Sequence, residues 1–296
     1  MKRILNYTIP KEFDQCTLLS FLKSRHYSSP EITHLKRTPN GILLNGTWGR
    51  VRDLLHTDDL LTITIVETES SSNIVPSPLP LPIVYEDEDL MIINKPSGMP
   101  IHPSQGNYEN TLANAAAYYF SQKGEPFVYR CINRLDRDTT GLLILAKHMY
   151  SASILSDMVK ERMIHREYLA IAQGKVDDQG VIDAPIGRVD GSTIEREVNK
   201  EHGERAITHY QCLKYKNGYS LVSLKLETGR THQIRVHMKF IGHPLPGDFL
   251  YNPDYRMIGR QALHSYRLSF LHPVTGEAMD FTAPLPQDMN SIISTD

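Results

Sequence analysis

Two short segments hold most of the ionisable side chains that could do chemistry together. Residues 133–141 read NRLDRDTTG and run directly into LLILA, so Asp136, Asp138, Arg134 and Arg137 crowd the mouth of an apolar strand. A carboxylate in such a place is partly desolvated and needs a cation nearby to stay ionised. The same composition also suits a plain surface loop held by Asx and Ser/Thr turn bonds. It does not say which aspartate matters. Residues 229–238 read GRTHQIRVHM and continue to GHPLPGD at 242–248. If Thr231 caps a helix, Ile234, Met238 and Ile241 form its apolar face, and His232, Arg235 and Lys239 lie opposite or beside it. An arginine at a buried rim there could be the cation that Asp136 needs. His232, His237 and His243 read as hydrogen-bonded structural histidines. A zinc site is disfavoured, because the 232-to-237 spacing is five and no cysteine or glutamate falls in register. IHREYLA at 164–170 puts Tyr168 in a strand, where a tyrosine is more often core than catalytic and a buried hydroxyl needs a partner. Neither GxGxxG nor GxxxxGK[ST] nor GxSxG occurs, so a nucleotide cofactor and a serine hydrolase are unsupported.

The elements that would position these residues are strand-rich. Residues 83–85 and 90–94 read as a strand pair about the acidic turn EDED, and 111–119 as an alanine-rich helix. Residues 142–146 suit a buried strand, 153–163 a helix, and 168–172, 206–213 and 219–226 further strands. Strands outnumber helices without alternating regularly with them. This pattern predicts α+β with a mixed, largely antiparallel sheet and flanking helices, not a doubly wound parallel one. Upstream, residues 67–82 pass from a serine run to prolines at 76, 78, 80 and 82, an extended, semi-rigid linker. The expected organisation is a small α+β unit at 1–66, the linker at 67–82, and a large unit at 83–296. In the small unit, Leu18, Leu19 and Leu22, then Ile32 and Leu35, suggest two helices, the second capped by Ser29 with proline after it. Residues 41–46 and 60–66 suggest strands.

The chain has 296 residues and a net charge of −2, which excludes a bulk polycation but not a local basic face. Between 20 and 52, Lys23, Arg25, Lys36, Arg37, Arg50 and Arg52 face Glu31 alone, a net of +5. This reads either as a solvated helix face or as a phosphate-binding surface. Three unpaired cysteines, no secretory leader and no long apolar run lead to the expectation of a reducing, cytoplasmic location without membrane contact. Nothing in the sequence demands more than a monomer.

Taken together and in order, the motifs resemble the RluA-type pseudouridine synthases over residues 83–284. NKPSGMPIHPS from Asn94 is similar to the family's NKPxG…HP opening, and NRLDRDTTGLLILAK to HRLDxxTSGLLLxAK. IHREYLA resembles VxKxYxA, GERAITHY resembles GKxAxTxY, and GRTHQIRVHMKFIGHPLPGD resembles GRTHQIRVHLxxxGHPIxGD. The resemblance implies an enzyme that isomerises uridine in RNA, without metal or organic cofactor. By motif position it implies Asp136 as the catalytic carboxylate, Arg235 as its partner, and Tyr168 stacked on the base. Arg134 would enter the RNA stack, and Arg230 and His232 would lie at the substrate. Flipping is required, since the carboxylate cannot reach a stacked nucleotide. Asn133, Thr140 and Arg166 stand where the family usually has His, Ser and Lys. LLSFLKSRHYSSPEITHLKRTPNGILLNG and VRDLLHTDDLLTI are similar, more weakly, to a small S-four-like RNA-binding domain. In that context the +5 cluster is expected to position RNA electrostatically. The implied partner is RNA, ribosomal before transfer. The rival readings are a non-catalytic RNA-binding or ribosome-assembly factor and a metal-dependent hydrolase.

Overall fold

The computed structural model describes residues 1–294. Its strands are β1 (Lys2–Thr8), β2 (Ile42–Leu44), β3 (Thr47–Trp48), β4 (Leu60–Val66), β5 (Ile83–Glu86), β6 (Leu90–Lys95), β7 (Arg130–Cys131) and β8 (Thr140–Ala146). They continue as β9 (His165–Gln173), β10 (Gln179–Asp183), β11 (Ile186–Arg188), β12 (Arg196–Val198), β13 (Ile207–Lys216), β14 (Tyr219–Leu226), β15 (Leu263–Leu271) and β16 (Ala278–Thr282). The α-helices are α1 (Leu18–Ser24), α2 (Ser29–Arg37), α3 (Leu112–Gln122), α4 (Met149–Lys160), α5 (Gln233–Phe240) and α6 (Gln287–Ser294). The fold is α+β. A four-stranded antiparallel sheet, β1-β4-β2-β3, precedes a ten-stranded mixed sheet along β10-β13-β14-β9-β15-β8-β6-β5, with β16 added to β15 and β7 to β8. Within the large sheet only β15 and β8 run parallel. No helix among the described residues is long and apolar enough to cross a membrane.

Both faces of the large sheet are covered, which explains why β8 is apolar at every position. Side chains alternate across a strand. Leu143 and Leu145 therefore enter the core beneath α3 and α5, and Leu142, Ile144 and Ala146 enter the core with Leu155 and Met158 of α4. Strand β15 forks: His264 and Ser265 pair with Thr140 and Gly141 of β8, whereas residues 267–271 pair with β16. Gly141 makes the close approach possible. Its φ is +108°, and a Cβ there would lie 2.2 Å from the Ser265 carbonyl oxygen.

The small sheet packs on α4. Tyr27 stacks on Tyr150 with centroids 4.1 Å apart, and Arg3 of β1 makes a bidentate bond to buried Asp89 at 2.8 and 3.0 Å. The proline-rich stretch at 67–82 forms no regular element and lies against the large sheet. The Ser70 and Ser71 hydroxyls accept from the Phe127 and Tyr129 amides, Glu67 pairs with Arg130, and Ile74, Leu79 and Leu81 pack on the main core. Two caps differ from the sequence reading. Ser28, not Ser29, caps α2 in a capping box with Glu31, placing proline in the first turn. His232, not Thr231, caps α5, in the left-handed region with φ 58°.

Candidate active site

The loop between β7 and β8 carries Asp136, and the surrounding structure fixes its backbone. The Lys95 ammonium, buried at the end of β6, donates to the carbonyls of Pro96, Met99 and Arg137 at 2.8, 3.0 and 2.8 Å. Burial pushes this lysine down to about 7, against the opposing pull of Asp138 and Asp136. Gln261 donates to Thr139 Oγ1, and Thr140 Oγ1 shares a hydrogen with His264 Nδ1. Asn133 folds back so that its Oδ1 accepts from the Ile144 amide at 2.8 Å. The two aspartates diverge: Asp138 pairs with its neighbour Arg137, and Asp136 turns toward α5.

Helix α5 starts where Gln233 ties the GRTHQ turn to β13. Its Oε1 accepts from the Arg230 amide and the Thr228 hydroxyl, and its Nε2 donates to Ile207 O and Thr208 Oγ1. One turn in, Arg235 is 1% exposed. Its Nη1 donates to Asp136 Oδ2 at 2.8 Å, and its Nε and Nη2 grip both oxygens of Asp248 at 2.6 and 2.7 Å. Burial alone would lower the guanidinium's pKa, but Asp248 and Asp136 together raise it, so the cation is fixed. Asp248, also buried, is the residue that sequence reasoning did not assign. The GHPLPGD motif was its signal.

The residues expected as catalytic (Asp136, Tyr168, Arg235) and as substrate-binding (Arg134, Arg230, His232) come together here. All of them line one recess of about 60 Å³. Tyr168 stands on β9 opposite Ser265 and is 5% exposed. Burial raises its phenol, Asp136 adds to this, and Arg166 and Ser265 oppose it. His232 donates or accepts at Tyr251 OH (2.9 Å) and lies 3.9 Å from Asp136 Oδ2; burial lowers its pKa, so it is neutral at neutral pH. Asp136 Oδ1 takes no hydrogen bond from the described residues. Arg230 sits at the rim, exposed and paired with Glu204.

His237 and His243 are structural, bonded to Thr208 Oγ1 and Ala184 O and to Gln173 O respectively. Lys23, Arg25, Lys36, Arg37, Arg50 and Arg52 are all exposed on the small sheet's unit, away from this recess; Lys23 bonds the Ser29 hydroxyl and Arg25 lies over Phe21.

The family described as RNA pseudouridylate synthase matches residues 89–240, which include the Asp136 loop, β9 and α5. The chain is 42% identical over 263 residues to an RNA pseudouridine synthase of Bacillus subtilis (strain 168), YjbO, covering 88% of this chain and 93% of that one. It is 40% identical over 270 residues to ribosomal large subunit pseudouridine synthase D of Zymomonas mobilis, covering 84% of each. Among solved structures it is similar to human RNA pseudouridylate synthase domain containing 1, with a TM-score of 0.59, 27% identity, and coverage of 70% of this chain and 84% of that one. With an aspartate, its buried arginine and a tyrosine at one recess, and with relatives matched along nearly its whole length, the chain belongs to the RNA pseudouridine synthases, in their RluA-type branch.

Proposed function

We propose that the chain converts a uridine of large-subunit ribosomal RNA to pseudouridine, with Asp136 as the catalytic carboxylate. The observation that carries this reading is the 2.8 Å bond from buried Arg235 to Asp136 at the wall of a recess that Tyr168 also lines. The relatives named ribosomal large subunit synthases support the choice of RNA. The uridine leaves its stack, at a cost of a few kcal/mol, and enters beside Asp136. Arg134, on the exposed lip of the recess, takes the place of the departed base. Asp136, held by the Arg235 guanidinium, promotes cleavage of the bond between N1 and the ribose C1′. The uracil turns and C5 bonds C1′. The proton that leaves C5 is matched by one gained at N1, so the product is an isomer and no second substrate is consumed. Tyr168 offers its ring face to the uracil. Its raised pKa keeps the phenol protonated at neutral pH, so it serves there as a donor and stacking wall.

Two measurements test this. Asp136→Asn is expected to keep the melting temperature and RNA affinity of the parent while abolishing product; product at the parental rate removes Asp136 from its role. Pseudouridine mapping in cells with and without the gene is expected to lose a position in large-subunit ribosomal RNA. A loss confined to transfer RNA moves the target there, and no loss anywhere leaves a non-catalytic RNA-binding factor.

A further inference from the structure

The recess of about 60 Å³ adjoins a groove of about 830 Å³ that shares Arg134, Tyr168, Leu226 and Arg230 with it. The groove walls come from the turn after α4, the start of β9 and the β14–α5 loop. Its basic side chains are Arg134, Lys160, Arg162, Arg166 and Arg230, with His165 beside them, and Glu227 is the one carboxylate lining it. That carboxylate is shared three ways: His209 at 2.8 Å, Arg162 at 3.4 Å and Arg205 at 3.8 Å. Asn133, which also lines the groove and is 3% exposed, accepts the Ile144 amide with Oδ1, and its Nδ2 has no partner among the described residues.

Arg162 is in an unusual place. Helix α4 ends in a Schellman turn, with the Met163 amide on Met158 O (2.8 Å) and the Arg162 amide on Val159 O (3.2 Å). The residue after the cap in that motif is left-handed, and glycine is the usual occupant. Here it is Arg162, with φ 61°. A β-carbon at that position is a local cost that the fold does not require. Its guanidinium is exposed and held only by the shared Glu227.

We propose that this groove takes the sugar–phosphate backbone of the RNA strand flanking the everted uridine, with Arg162 exchanging Glu227 for a phosphate. This rests on the recess being the uridine site, as proposed above. It places the phosphate track on the large sheet's unit, next to the chemistry, in addition to the exposed cations of the small one.

The test is the salt dependence of binding to a short fluorescein-labelled RNA hairpin with a uridine-rich loop. Each phosphate contact contributes about 0.7–0.9 to the slope of log affinity against log salt. Arg162→Gly is expected to lower the slope by about that amount, to weaken affinity several-fold at physiological salt, and to leave the melting temperature equal or higher. Glu227→Gln, which frees Arg162, is expected to tighten binding. An Arg162→Gly slope equal to that of the parent overturns the proposal, as does failure of the parent to bind. Pseudouridine formed in transcribed ribosomal RNA is read in parallel. A parent that binds with the expected slope difference but makes no product refutes the isomerase reading and leaves the groove standing.

Discussion

Arg235 holds one buried carboxylate and one accessible carboxylate at once, and the two have different work. Asp248 is as buried as the arginine and saturates two of its nitrogens, whereas Asp136 is 29% exposed and takes the third. Removing the deep partner leaves the buried guanidinium with Asp136 alone to balance its charge, and breaking a buried pair costs about 3–5 kcal/mol. Asp248→Asn is therefore expected to lower the unfolding free energy by about 3 kcal/mol in urea. It is also expected to lower product formation at least tenfold, because the cation that orders Asp136 is no longer held. Under the Asp136 loop a buried histidine makes stability depend on pH. His264, beside Thr140 under the catalytic loop, is pushed down to about 4 from 6.5, chiefly by burial. Between those values the unfolded chain binds the extra proton, so stability rises with pH through the window, is complete above 6.5 and is lost toward 4. From this one group the protein is expected to be about 2 kcal/mol less stable at pH 5 than at pH 7.5. Denaturant melts of the parent and of His264→Gln at both pH values check it, and the variant is expected to show the smaller difference.

At the scale of elements, the site depends on β8 and β15 meeting in parallel for two residues and then parting. Gly141 allows the meeting. Alanine there would have to tolerate both φ +108° and a Cβ 2.2 Å from the Ser265 carbonyl. Gly141→Ala is expected to cost several kcal/mol and, in any folded fraction, to displace the Asp136 loop; thermal melts and product assays read the two effects. The buried strand at 142–146, the helix beginning near 111 and the strands holding Tyr168 were all legible, since burial on both faces or on one leaves a readable apolar pattern. β1 was not. It buries only Leu5, so its sequence reads as a polar terminus although it pairs along its whole length with β4. The short pair β11–β12 has three residues a side, below any periodic signal. The loop at 133–141 and the helix with Arg235 stood out as motifs, but the contact between them spans 99 positions and comes from the sheet topology. Asp248 escaped for the same reason. Its motif was plain, but its partner is chosen by how the chain after α5 turns back. The groove cations Lys160 and Arg162 end and follow a helix whose polar end looks like any other.

For the whole molecule, the decisive contact is the one that joins the two sheets. RNA engaged by the exposed cations of the small unit and by the recess must span both, and a fixed span makes the second contact effectively intramolecular. The joint is built to be fixed. Arg3 reaches from β1 to Asp89, whose carboxylate also accepts from buried His148, and Tyr150 of α4 stacks on Tyr27 and donates to Arg25 O at 2.9 Å. His148 Nδ1 faces the Ser151 amide at 3.2 Å, and its Nε2 lies 2.7 Å from Asp89 Oδ1. Losing the aromatic side chain alone costs about 3–5 kcal/mol when buried, and losing Arg3 removes the bidentate guanidinium from buried Asp89. With both in place, the slowest-exchanging amides of β4 and of β8 are expected to open with the same free energy, as one cooperative unit. In Arg3→Ala/Tyr150→Ala the β4 amides are expected to open at least 2 kcal/mol more easily than those of β8, with the catalytic sheet's protection retained. RNA affinity is then expected to fall although Lys23, Arg25, Lys36, Arg37, Arg50 and Arg52 are unaltered. Equal protection of the two sheets in the double variant would mean that the apolar contacts of Met149, Ile154 and Val274 with the small unit's core are sufficient to join them.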